Sequence, residues 1–187
     1  MQKLLAWWYF TVRGWKIAGS FPYDLNKSVL VVAPHTHAFD FFLGLAIRKK
    51  MHLEFAHFLG KKELFKGIFG YVLRKLGGYP VERAKNQNQV EQVVKIFNEK
   101  EVFHIALSPE GTRKKVSRLK SGFYHIAKNA NVPIVMVALD FEHKRVIFSA
   151  PFHTSDNEVA DKQKIVSFFK GILGYLPANS ITEDIEG

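Results

Sequence analysis

Residues 29–40 read Val-Leu-Val-Val-Ala-Pro-His-Thr-His-Ala-Phe-Asp, and this stretch sets the class of fold. Val29 to Ala33 is an unbroken apolar run rich in β-branched side chains, which predicts a strand buried on both faces. Pro34 closes it, and from Phe39 to Lys50 the pattern becomes that of a helix with a basic end. A strand feeding a helix through a short polar loop is the repeating unit of α/β folds, where ligands gather outside the carboxyl ends of the strands. Here that loop carries His35 and His37, and the helix opens with Asp40.

Further along the chain the alternation continues. Leu53–His57 reads as a strand, Lys61–Leu76 as a helix interrupted at Gly67, and Tyr79–Glu82 as a short extended piece after the Gly77-Gly78 stop. Asn86–Lys100 is a helix with Val90, Val93, Val94 and Phe97 on one face. Val102–Leu107, Pro133–Leu139 and Arg145–Ser149 read as strands, and Ser121–Asn129 and Asp156–Leu176 as helices. The expectation is one α/β domain over 1–187, with a central mixed, largely parallel sheet flanked by helices. An N-terminal amphipathic helix is expected within 1–20 and a flexible tail over 177–187.

The composition narrows the partners. The 187 residues are 47% hydrophobic and 14% aromatic, enough for a packed core and unlike a disordered chain. With no cysteine there is no disulfide frame, thiolate metal site or cysteine nucleophile. The formal charge of +10 is uneven: residues 1–155 carry +13 and residues 156–187 carry −3. Such a body suits an anionic partner, namely a phosphate-bearing substrate, an acidic lipid surface or nucleic acid. No apolar run approaches the roughly 20 residues that span a bilayer. Leu4–Val12, between Lys3 and Arg13, lacks a small-residue cleavage site and is not read as a signal peptide. All three tryptophans lie nearby, and at helical spacing Leu4, Trp7, Trp8, Val12 and Trp15 share a side. That side fits a helix lying in a membrane surface, or one capping the core of its own domain, or both.

Three segments could carry chemistry, the third of them Gly77-Gly78-Tyr79-Pro80-Val81-Glu82-Arg83, which delivers an arginine after a glycine-rich stop. His35 and Asp40 are five residues apart, so they meet only if His35 sits in the turn and Asp40 in the first helical turn. An aspartate on one imidazole nitrogen fixes the tautomer and leaves the other nitrogen free to take a proton from a hydroxyl. His37, three residues before Asp40, competes for the same carboxylate. The second loop follows the strand Val102–Leu107 and reads Ser108-Pro109-Glu110-Gly111-Thr112-Arg113. Glu110 is the sole acid between Glu101 and Asp140, among six basic residues, a setting expected to hold it ionised. Gly111 permits a tight turn, and Arg113 offers a planar fork suited to phosphate.

Together these segments resemble the glycerolipid acyltransferase family typified by 1-acylglycerol-3-phosphate acyltransferases. His35…Asp40 fits the family's His-x4-Asp motif, and Pro109–Arg113 reads as its Pro-Glu-Gly-Thr-Arg motif letter for letter. Gly78…Arg83 and Val132-Pro133-Ile134 fit the remaining two motifs, in order. The chain departs from the pattern at Pro34, where the family usually has Asn, at Ser108, where Phe is usual, and at Met136, where a second Pro is common. The resemblance implies an acyl thioester donor, acyl-CoA or acyl carrier protein, and a lysophospholipid acceptor, with 1-acylglycerol-3-phosphate the default. It implies His35 as general base oriented by Asp40, and Arg83, Glu110, Gly111, Thr112 and Arg113 as acceptor-binding residues, with no metal or other cofactor. It further implies a cytoplasmic enzyme held on the anionic inner face of a membrane, not on nucleic acid. Two other classes stand beside it. A metal-dependent hydrolase would use His35 and His37, although the His-x-His-x-Asp-His ligand spacing is off by one and Phe41 replaces the final His. A non-enzymatic basic module would bind membrane or nucleic acid, although the basic residues are scattered and form no recognised nucleic-acid motif.

Overall fold

The N-terminal helix α1 (Gln2–Trp7) runs on as a π-helical turn over Trp8–Val12 in this computed structural model, which describes residues 1–82 and 89–181. The N-terminal helix thus occupies residues 2–12, within the expected 1–20. Gly14, at φ +72°, turns the chain, and Lys16–Ala18 becomes a short strand, β1. Trp15 thus leaves the helical stripe and is buried, edge-on to Tyr9 and to Phe141 at 4.9 Å. The remaining elements are β2 (Lys27–Ala33), α2 (Phe39–Lys50), β3 (Ala56–Lys61), α3 (Gly67–Lys75), β4 (Gly78–Val81), α4 (Gln89–Glu99), β5 (Phe103–Leu107), α5 (Gly122–Ala130), β6 (Ile134–Asp140), β7 (Arg145–Phe148) and α6 (Glu158–Phe169). A 3₁₀ turn, Lys62–Phe65, precedes α3.

The fold is α/β. Seven strands form one sheet in the order β1-β7-β6-β2-β5-β3-β4. β6, β2, β5, β3 and β4 run parallel; β7 is antiparallel to β6 and parallel to β1. The central strands read as continuous apolar runs because both sheet faces are covered. Val29, Val31 and Ala33 of β2 pack with Val93, Phe97, Phe123, Ile165 and Phe169, from α4, α5 and α6. Leu30 of β2 faces the other way, with Val135 and Val137 of β6, onto Leu43 and Ile47 of α2. Right-handed crossovers place α3 in the layer of α2, and Arg48 of α2 lies against Gly77 just after α3. α1 packs on α2.

Two expectations are corrected at the C-terminal end. The helix predicted over Asp156–Leu176 stops at Phe169, because Lys170 is extended and Gly171 takes φ +75°. The tail expected to be flexible over 177–187 begins folded: Pro177–Asn179 forms a 3₁₀ turn, and Ser180 and Ile181 are buried, while 182–187 lie outside the described residues. Among the described residues no helix is long and apolar enough to cross a membrane.

One buried group gives the fold a pH signature. His104 on β5 has no exposed surface, and its Nδ1 lies 2.8 Å from Ser28 Oγ on the neighbouring strand. The rings of Phe21 and Phe55 enclose it, and its Nε2 has no hydrogen-bond partner among the described residues. Burial, helped by the nearby His57, lowers its pKa to about 4. Between pH 6.5 and 4 the unfolded chain takes up this proton and the folded chain does not, so stability falls as pH falls. From pH 7 to 5 the loss from this group is about 2 kcal/mol. Urea unfolding of wild type and His104→Gln at both pH values checks this: the variant should lose less stability on acidification, and equal losses would refute it.

Candidate active site

β2 and β5 are hydrogen-bonded neighbours, with Val31 opposite Leu107. Being parallel, they deliver both motif loops to the same carboxyl edge of the sheet. The loop after β2 turns into α2 around one oxygen. Asp40 Oδ2 accepts the backbone N–H groups of Thr36 at 2.7 Å and His37 at 2.9 Å, and lies 3.1 Å from His35 Nδ1. The aspartate side chain is 2% exposed and the histidine side chain 28%. The carboxylate thus builds the turn and fixes the ring at once. Among the described residues His35 Nε2 has no hydrogen-bond partner.

His37 has a different position. Its ring stacks on Tyr175 at 4.5 Å, and its Nδ1 accepts the Phe39 N–H. Only its main chain reaches Asp40. The carboxylate therefore holds the imidazole of His35 and not that of His37. The rings of His35 and His37 do not converge with Asp40 on a common point. Among the described residues the one such convergence of three groups is Asp140, Glu142 and His143, where Arg145 and His143 already bond Asp140.

Glu110 joins the two loops. Its Oε1 accepts the His35 backbone N–H at 2.7 Å and its Oε2 accepts the Ser108 hydroxyl at 2.7 Å. It is buried and lines neither cavity at the site. Burial pushes its pKa up, against the pull of these two donors, and it is these contacts, not the cations near it in sequence, that act on the carboxyl. Ser108, where the family usually has Phe, supplies a donor that a phenyl ring lacks. Gly111 makes a tight turn at φ +63° and, with Thr112, Arg113, Lys114 and Lys120, lines a cleft of about 710 Å³ that reaches His35. The Arg113 main chain is tied down by Asn179 Nδ2, 3.0 Å from its carbonyl, while its guanidinium makes no ion pair among the described residues. Arg83 lies outside the described residues.

A second cavity, of about 280 Å³, starts at the same histidine and runs between the sheet and α2. Leu30, Val32, Val137 and Leu139 wall it on the sheet side, and Phe41, Gly44 and Ile47 on the helix side. At Gly44 an added Cβ would meet nothing within 4 Å, so the missing side chain leaves open space against the cavity. Nothing in the spacing of the sequence pointed to this wall. The C-terminal segment was equally unforeseen: Leu176 N–H donates to Thr36 Oγ1 at 3.1 Å, and Gly174 crowds Thr36 and Pro34.

His35 stands where the apolar cavity and the cationic cleft meet, and Arg113 lines both. A base with one free nitrogen, an apolar slot and an anion-binding cleft around a single point can serve a reaction that joins a hydrophobic chain to a phosphate-bearing alcohol. Comparison with known proteins agrees with this chemistry. The family model described as Acyltransferase matches residues 15–140. A 1-acyl-sn-glycerol-3-phosphate acyltransferase of Streptococcus pneumoniae (strain ATCC BAA-255 / R6) is 27% identical over 133 residues, covering 66% of this chain and 48% of the relative. One of Cocos nucifera is 27% identical over 124 residues, covering 63% of this chain and 39% of the relative. The matched stretch thus spans less than half the length of either curated relative.

Proposed function

The chain belongs to the acyltransferase family, and from that premise we propose that it moves an acyl group from a thioester, acyl-CoA or acyl carrier protein, to the free hydroxyl of a lysophospholipid, 1-acylglycerol-3-phosphate first among them. The observation that carries the reading is the position of His35 between the two cavities, with its Nδ1 held by Asp40. The acceptor hydroxyl gives its proton to His35 Nε2 as its oxygen attacks the thioester carbonyl carbon. The tetrahedral intermediate then expels the thiolate, which recovers the proton from His35. The new bond is an oxygen ester, the broken bond is carbon–sulfur, and no acyl-enzyme forms. Asp40 stabilises the imidazolium that exists between the two proton transfers. The apolar cavity takes an acyl chain. Arg113 holds the acceptor's phosphate in the cleft, where Thr112 adds a hydrogen bond and Gly111 lets the chain turn away; Arg83, outside the described residues, is the second cation the motif offers. Glu110 acts through the His35 backbone. The names of the two relatives, the Arg113 guanidinium without an ion pair among the described residues, and the ordered motifs support this assignment.

The basic body and the exposed Leu4, Trp7, Trp8 and Val12 of the N-terminal helix support peripheral attachment to anionic lipid on the inner face of a membrane. The direct test offers purified protein both donor types and a panel of lysolipids, and records product masses. The expected product is a diacylated phosphate-bearing glycerolipid. Arg113→Ala should raise the acceptor KM about tenfold or more while changing the donor KM little, as loss of a charge-assisted phosphate contact implies. An unchanged acceptor KM would remove Arg113 from the cleft's function.

A further inference from the structure

Helix α3 is turned inside out. In Gly67–Lys75 the one fully buried residue is Gly70, so close to the Phe65 main chain that a Cβ would lie 2.1 Å from its carbonyl carbon. The large apolar side chains face outward: Ile68 is 85% exposed, Tyr71 60% and Phe69 57%, with Val72 and the preceding Leu64 also exposed. Ile68 and Val72, four residues apart, share one ridge of α3 with Phe69 beside it, and Leu64 is exposed on the 3₁₀ turn that precedes the helix. Cations bracket the ridge: Lys61, Lys62 and Lys66 come before it, Arg74 and Lys75 after it, and all are exposed. Glu63 is the one acid within residues 61–75. An apolar ridge between cations is the pattern of a helix that lies in a bilayer interface. Apolar patches on soluble surfaces are ordinarily small, and larger ones mark interaction sites.

The other helices of the same layer also expose apolar side chains. α2 exposes Phe39 and Phe42, and α1, packed on α2, exposes Leu4, Trp7, Trp8 and Val12. The apolar cavity runs beneath this layer, with Phe41 and Gly44 of α2 and Leu76, just past α3, in its wall. We propose that α3 inserts its Ile68–Phe69–Val72 face into a bilayer containing anionic lipid and seats the α1–α2–α3 layer there, so that the apolar cavity opens toward the acyl chains. Lys61, Lys66 and the α3 terminus meet the lipid phosphates while the ridge enters the hydrocarbon edge. An acidic carrier protein would satisfy the same cations, but it would bring charge against Ile68 and Phe69, so the bilayer is the better complement. The docking itself stands without any assumption about turnover. Only the identity of what enters the cavity rests on the acyltransferase reading.

Co-sedimentation of the full chain with phosphatidylcholine–phosphatidylglycerol vesicles tests it. Ile68→Asp combined with Phe69→Asp should weaken partitioning roughly tenfold or more. Val159→Asp, exposed on α6 in the opposite layer, should leave it unchanged. A second measurement uses Phe69→Trp with Trp7 and Trp8 replaced by Phe: its emission should shift to the blue and be quenched by brominated lipid when vesicles are added. Unaltered partitioning of the double aspartate variant, or an emission that ignores the vesicles, overturns the proposal. So does a double variant that partitions normally yet loses turnover only with a carrier-linked donor, since the ridge would then dock a protein. Weakened partitioning with no acyl transfer to any lysolipid would leave the docking intact and refute the proposed reaction. Normal transfer to a detergent-dispersed acceptor with unaltered partitioning would do the opposite.

Discussion

His35→Ala is expected to lower turnover by about 10²–10⁴-fold, the usual contribution of a placed general base, with little change in stability. The ring is partly exposed, and Asp40 keeps the Thr36 and His37 N–H donors when the imidazole is removed. The turn that opens α2 therefore survives the substitution. Asp40→Asn should cost about 10²-fold or more, because an amide no longer stabilises the imidazolium and can favour the wrong tautomer. Single-turnover rates on the purified variants, alongside their urea midpoints, separate the chemical loss from unfolding. A His35→Ala protein that turns over at the parental rate would end the proposed mechanism. His37→Ala is the matched control: its ring stacks on Tyr175 and does not reach Asp40, so its loss should be much the smaller.

Glu110→Ala should damage both stability and turnover. It strands the His35 N–H and the Ser108 hydroxyl in a partly buried position. Each stranded donor costs about 1–3 kcal/mol, giving an expected loss of about 3 kcal/mol and a displaced His35. Glu110→Gln separates the structural from the electrostatic role. Its carbonyl oxygen still accepts the His35 N–H, and its amide can donate to Ser108 Oγ. Because burial raises the pKa of Glu110, the folded state binds its proton more readily than the unfolded state, and stability from this group falls as pH rises through that interval. Glutamine removes that ionisation cost, so at pH 7 the Gln variant should be at least as stable as wild type. It should also keep most of its turnover, since the carboxylate reaches the chemistry only through the main chain of residue 35. Equal stability of the Ala variant and wild type in urea would refute the tie between the loops. A collapse of turnover in the Gln variant would show instead that the negative charge itself is needed.

What the sequence disclosed follows from where each element lies. β2, β5 and β6 are interior strands with both faces covered, so their apolar runs stood out, and α2 began and ended where its composition changed. β1 is three residues at the sheet edge, Lys16-Ile17-Ala18, and carries no such run. β3 begins at Ala56 and not at Leu53, because Leu53 belongs to the turn that brings Arg48 under the chain. α6 ends early for a backbone reason at Gly171, although Ile172 continues the apolar spacing. At the site, the His35–Asp40 spacing carried its own geometry, since one short turn joins the two residues. Glu110 did not: counting charged neighbours along the chain assumed that its side chain faces them, whereas it turns inward to a main-chain donor 75 residues away. The cavity wall at Gly44, and the contacts of Tyr175, Leu176 and Asn179, depend on tertiary packing that no local pattern encodes.

The hydrogen bond from Leu176 to Thr36 spans 140 residues of chain. During synthesis the loop bearing the imidazole emerges from the ribosome early, yet the segment that braces it is made much later. A nascent chain that has folded its sheet but not yet produced residues 174–181 holds the two reacting-edge loops without their outer support. The bracing of that loop is thereby tied to late translation.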